Sequence, residues 1–277
     1  MNVRRFSPRS VCALLATAGL LGSLLFPSVA SAQDTDNPLQ QGGFDLRLFR
    51  PAVDSKGVVT VNGTDILGSR AFSFGLILDL GRGLAPVARD SQALVENMFS
   101  GVFHANIGIG NVLVVGFQLP FHLTTGPANT TADMMAGTST QGVSLGQYNT
   151  GPGGLNYQGL GDIVLHAKLR WLRGEYYPVG LAVNLQVGIP LMGGPRNFAG
   201  EPGPWVWPAV AVERRFGRRF RLAGNLGFRM PFGDAATLTP AGQDASQSVT
   251  YGPSITWGVG ASFRAVSVLD LMIEAYG

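Results

Sequence analysis

LGDIVLHAKLRWLRGEYYPVGLAVNLQVGIPL, residues 160–191, is the stretch whose reading decides the fold. In its first arm the odd positions Ile163, Leu165, Ala167, Leu169 and Trp171 are apolar. The even positions, read from Leu160 to Leu172, carry Asp162, His166, Lys168 and Arg170. In its second arm Tyr177, Val179, Leu181, Val183, Leu185, Val187, Ile189 and Leu191 alternate with Gly180, Ala182, Asn184, Gln186 and Gly188. Strand side chains point alternately to opposite faces, so the stretch predicts a long hairpin with one apolar and one polar face. Each arm exceeds the usual strand of about 5–6 residues and matches the ~9–11 that a tilted membrane-crossing strand requires.

The same alternation runs through the chain on both sides. Phe72, Phe74, Leu76, Leu78 and Leu80 share a face against Ser73, Gly75 and Asp79. Phe99, Phe103, Ala105, Ile107 and Ile109 oppose Glu96, Ser100, His104 and Asn106, and Gly110-Asn111 is a tight-turn signal. Strands follow at about 113–123, 206–216, 219–232, 251–263 and 268–276. The connections alternate strictly in length. Those at 110–111, 173–176, 217–218 and 264–267 are short; those at 81–95, 124–158, 193–203 and 233–248 are long. Bacterial barrels have short periplasmic turns and longer extracellular loops. The sequence therefore predicts an all-β, antiparallel, up-and-down transmembrane β-barrel over residues 71–277.

Arg4, Arg5 and Arg9, the apolar run from Val11 to Phe26, and Ala30-Ser31-Ala32 form a cleavable secretory signal over 1–32. Residues 33–70 read as an N-terminal periplasmic segment, in which Phe44–Arg50 is either a short strand or a piece packed at the rim. The single Cys, Cys12, lies in the signal, so no disulfide is expected. Three of the 20 Lys and Arg also lie there, leaving 17 against 17 Asp and Glu. A balanced charge argues against a nucleic-acid partner. Charged residues make up 13% of the chain, against about 25% in ordinary soluble proteins. That shortage suits a surface facing lipid.

The motif FDLRLFRPAVDSKG (44–57), then VNGTDILG (61–68), then FSFGLILDLG (72–81), resembles the N-terminal barrel of OmpA-family outer-membrane proteins of the myxobacterial type. The resemblance implies an outer-membrane or porin-like barrel and brings no catalytic residue. In that family a peptidoglycan-binding domain follows the barrel; no residue of this chain matches it, so that role is not carried over.

Candidate chemistry on the polar face is sparse. His104, His122 and His166 lack the close spacing of metal ligands, so no metal and no cofactor is expected. A two-residue turn at Gly110-Asn111 puts position 104 near 117 and position 122 near 99. Ser100 beside His122 is the one nucleophile–base pair that can be built, with no third member. No enzyme activity is expected. The inward charges are Asp79, Glu96, Asp162, His166, Lys168, Arg170, Glu213, Arg215, Arg219, Arg221, Arg229, Arg264, Asp270 and Glu274. They fit either a lumen filled by ion pairs or a wet channel with charged walls. Trp171, Tyr176, Tyr177, Trp205, Trp207 and Tyr251 fall near strand ends, where interfacial girdles lie.

The expected function is a non-enzymatic barrel of the cell outer membrane, porin-like or anchoring. Its partners would be outer-membrane lipid, the barrel-assembly machinery and small solutes. The alternatives are a secreted lipocalin-like carrier of an apolar ligand and, behind it, an outer-membrane hydrolase. Nine strands from Ala71, or 10 with Phe44–Arg50, suggest an incomplete 12-stranded barrel. An even strand number is the rule for bacterial single-chain barrels. The edge of Val268–Tyr276 is expected to be unpaired.

Overall fold

The structure is a computed structural model, and it describes residues 45–86, 93–126, 144–145, 148–149, 155–191, 198–232, 236–238 and 249–277. The signal sequence and Phe44 lie outside the described residues. Fourteen strands are present among those described: β1 (Phe72–Pro86), β2 (Ala93–Ile109), β3 (Leu113–Gly126), β4 (Ser144–Leu145), β5 (Tyr148–Asn149), β6 (Leu155–Leu160), β7 (Ile163–Leu172), β8 (Gly180–Ile189), β9 (Trp205–Phe216), β10 (Phe220–Pro231), β11 (Ala236–Leu238), β12 (Val249–Tyr251), β13 (Ser254–Val266) and β14 (Leu269–Tyr276). One antiparallel sheet holds most of them in the order β1-β2-β3-β7-β8-β9-β10-β13-β14, with β6 also pairing β3. β4 with β5, and β11 with β12, make separate two-stranded ladders. The up-and-down architecture expected from the alternation is present. β1 and β14 end the path, and among the described residues no ladder joins them.

The short turns fall near the expected places, although the one read at 264–267 narrows to 267–268 because β13 runs to Val266; three further local readings change. The long connection expected at 81–95 is shorter, because β1 continues to Pro86 and β2 starts at Ala93. At the first turn Gly110 and Asn111 both have positive φ, 59° and 56°, as a tight turn of this type requires. Val112 is an added third loop residue, so Ile109 faces Leu113 and every later pair shifts by one. His104 therefore faces Gln118, and His122 faces Ser100.

The third change lies in the deciding hairpin. Its first arm is β6 and β7, and β3 pairs Phe121 with Leu160 but Gln118 with Val164. Two residues of β3 thus span three of the arm. This extra residue is a bulge at Gly161-Asp162, and a bulge switches which side chains face inward. Leu160, read on the charged face, is exposed on the apolar face with Leu165, while Asp162 is buried on the other. The second arm also begins later than read, at Gly180 rather than Tyr177.

The two faces of the sheet are inverted relative to a soluble protein. Phe72, Phe74, Leu76, Leu78 and Leu80 on β1 are all exposed, as are Leu222, Leu226 and Phe228 on β10 and Ile255, Trp257 and Val259 on β13. The buried face holds Ser100, His104, Asn106, Gln118, His122, His166, Lys168, Asn184 and Gln186.

The segment 45–70 lies against that polar face, and the buried stretch Phe198–Glu201 packs beside it at Asp162. Asp45–Arg50 forms no strand, contrary to one of the two sequence readings. Ala52, Val53, Asp54, Val61, Asn62, Thr64, Ile66 and Leu67 are buried. The segment meets β7 through Asp54, β9 through Thr64, β10 through Asn62 and β14 through Val59–Val61. It meets β2 where Leu67 and Gly68 cross Gly108. A side chain at Gly108 would collide with the carbonyl of Gly68, so the glycine permits the crossing. One short segment touches so many strands because the sheet curls around it. Ile66, Leu67 and Val114 form the small apolar cluster that anchors its end against β3, with Ala71 packed alongside.

Candidate functional site

An irregular segment under a sheet has no ladder for its own N–H and C=O groups, and each buried one needs a partner. Side chains of the polar face supply them. The Glu274 carboxylate accepts N–H bonds from Val59, Thr60 and Val61 at 2.8–3.2 Å, and the Thr60 hydroxyl at 3.0 Å. Asn225 accepts from Asn62 N at 2.6 Å and donates to Asn62 O at 2.9 Å. Glu213 accepts from Thr64 N at 2.9 Å, and Arg221 donates to the carbonyls of Lys56 and Gly57. Lys168, 0% exposed, donates to both Asp54 carboxylate oxygens at 3.1 and 3.0 Å. Lys168, Glu213, Arg221 and Glu274 thus hold the inner segment, as does Arg215 through Asp65.

A second cluster sits toward the long-loop side. Arg47 and Arg50 pair with Asp45 at 2.8 and 3.2 Å, and Arg229 pairs with Glu201 at 2.7 Å. Asp162, turned inward by the bulge, accepts from Trp205 Nε1 at 2.8 Å and from Glu201 N at 3.2 Å. The Arg229 guanidinium lies over the Trp205 ring, 4.5 Å from its centroid, and bonds the Tyr251 hydroxyl. Burial by itself would raise the Asp45 carboxyl, but Arg47 and Arg50 overcome it and hold Asp45 well below the usual carboxylate range. Burial raises the Glu201 carboxyl, against the pull of Arg229.

The remaining inward residues divide by position. His166 bonds Asn106. Asp79 is half-buried, and Arg170 donates to the Asn111 carbonyl at 2.7 Å. Arg215 pairs with Glu213 at 2.9 Å and with Asp65. Arg219, Arg264 and Asp270 are exposed at the short-turn end, with Arg264 and Asp270 paired at 2.9 Å. Glu96 is exposed near the start of β2 and takes no part in the buried face.

Three aromatic readings are corrected. Trp205, 2% exposed, and Trp207, whose Nε1 donates to Thr256 at 2.8 Å, turn to the polar face and do not form an outer girdle. Their strand parity is opposite to that of exposed Val210 and Val212 on β9. Tyr251 joins them through Arg229. Trp171, Tyr176 and Tyr177 are exposed around the 173–179 turn.

The Ser100–His122 pair forms, with Ser100 Oγ 2.9 Å from His122 Nδ1. Both residues are fully buried, and among the described residues no carboxylate bonds the other ring nitrogen. The sequence missed Asp54, Asp65, Glu201 and the inner segment as a whole. The abundance of Asn, Gly and Asp between 54 and 65 signalled turns, and nothing local signalled where they pack.

No protein-family model matches this chain, and no curated protein does. The OmpA-type resemblance has no family model behind it. Among solved structures, the chain is similar to an outer-membrane channel from Pseudomonas putida F1, at 15% identity and a TM-score of 0.46, over 76% of this chain and 73% of that one. The fold described here rests on the strand ladders themselves.

Proposed function

We propose that this protein is a non-enzymatic β-barrel protein of the outer membrane, exported by the signal read at 1–32, and that it acts as a porin-like channel narrowed by its own residues 45–70. The observation that carries the reading is the inversion of the sheet. Phe74 is 82% exposed and Leu226 61%, while Lys168 and His122 are fully buried. Water would penalise so continuous an apolar face, and a bilayer would not. No described helix is long and apolar enough to cross a membrane. Eight of the nine strands in the path have 10–17 residues, enough to cross a bilayer at a tilt. A lipocalin-like carrier would line its concave face with apolar groups, and here that face is polar.

Outer-membrane lipid and the barrel-assembly machinery are then its partners in folding, and small solutes its cargo. The test is incorporation into lipid vesicles, with boiled and unboiled samples compared on a denaturing gel and conductance recorded in a planar bilayer. The proposal expects a heat-dependent mobility shift and small, discrete conductance steps. Protein that stays soluble without detergent and shows neither would refute it.

A further inference from the structure

Five arginines crowd into residues 213–221, ERRFGRRFR, a run that the barrel architecture alone does not require. Arg214 turns to the outer face over Phe216, 5.0 Å from its ring centroid. The other four line a cavity of about 560 Å³ at the short-turn end of the sheet. Lys56 from the inner segment and Arg264 from β13 complete a lining of six cations, against the carboxylates of Asp65 and Asp270. Those two carboxylates are already engaged, Asp65 with Arg215 and Asp270 with Arg264. Arg221 spends its donors on the carbonyls of Lys56 and Gly57. The charged groups of Lys56, Arg218 and Arg219 have no acid partner among the described residues.

Three uncompensated cations around one cavity repel one another, and an anion placed among them relieves that repulsion. The guanidinium fork matches the oxygens of phosphate and carboxylate groups and can bond them in pairs. We propose that this basic mouth binds a soluble polyanion bearing more than one phosphate or carboxylate group, with Arg218, Arg219 and Lys56 as its ligands. The cavity lies within the ~300–1,000 Å³ of small-molecule sites, which is roomy for a single inorganic anion. Ser55 and Gly57 of the inner segment form part of its wall, so it opens from the polar face. A lipid headgroup would approach from the apolar face, where Phe216 and Leu222 are exposed and from which Phe220 borders the cavity. The site goes beyond the channel reading and stands on the sheet's geometry whether or not the protein conducts.

The test uses the full chain folded in a zwitterionic detergent at low salt, with sodium pyrophosphate titrated in a calorimeter. Arg218→Ala/Arg219→Ala removes two ligands at exposed positions, Arg219→Gln alone is the milder variant should the pair misfold, and Arg82→Ala removes an exposed arginine elsewhere. Saturable binding by the wild type, weakened roughly tenfold or more by the double variant or measurably by Arg219→Gln, and unchanged by Arg82→Ala, is the expected result. The titration is repeated in nanodiscs of phosphatidylcholine and of phosphatidylglycerol, and the same affinity is expected in both. Absence of saturable binding overturns the proposal, as does equal weakening by Arg82→Ala. Loss of pyrophosphate binding only in phosphatidylglycerol discs would assign the mouth to a lipid headgroup and overturn it too.

Discussion

Replacing Asp54 with Ala tests whether the inner segment is seated on the sheet as described. Lys168 on β7 is fully buried and donates two hydrogen bonds to Asp54, at 3.1 and 3.0 Å. Removing one partner of such a pair leaves an uncompensated buried charge and costs about 3–5 kcal/mol, whereas replacing both with apolar groups is often near neutral. Asp54→Ala should therefore destabilise strongly, Lys168→Met by a comparable amount, and the double variant by much less than the sum. Equilibrium urea unfolding in vesicles, followed by tryptophan fluorescence, measures all three, and the cycle isolates the coupling. Limited trypsin digestion gives a second readout, because Arg47 and Arg50 should become accessible in Asp54→Ala and stay protected in the wild type. Additive costs, or a cost below about 1 kcal/mol for Asp54→Ala, would refute the seating of residues 45–70 on the polar face.

Leu226→Arg puts a charge at the middle of β10 on the exposed apolar face, and in vesicles it should cost about 2–4 kcal/mol; a cost near zero would mean that the face meets water. The Asp45 carboxyl is depressed in the folded protein, so its stabilising effect is present in full above its ordinary value of about 4 and is lost as the pH falls below it. The stability gap between wild type and Asp45→Asn, measured by urea unfolding, should thus be widest at neutral pH and narrow in acid. Ser100→Ala and His122→Ala should leave the protein's background turnover of p-nitrophenyl esters unchanged, since the buried pair lacks a third member; a loss of real turnover in both would revive the hydrolase alternative.

The sequence by itself determined the strands, the faces and the turns. Period-2 alternation is a local property, because neighbouring Cβ atoms on a strand must point opposite ways. Loop lengths are equally local, and they suffice to give antiparallel order from β1 to β14. His104, His122, His166, Lys168 and Glu213 are buried on the polar face where alternation put them. What failed first was one-residue detail. Val112 lengthened a turn and a bulge at Gly161-Asp162 reversed parity, and a single residue flips every side chain beyond it. The larger miss was the segment 45–70, which has no period to read. Its place depends on partners such as Glu274 and Asn225, 163–215 residues away in the chain. Shorter but still non-local separations hid Glu201 beside Arg229 and Trp205 beside Asp162. Only the curl of the sheet brings these groups together, because ion pairs and hydrogen bonds across its polar face depend on separation in space and leave no mark in the neighbouring sequence.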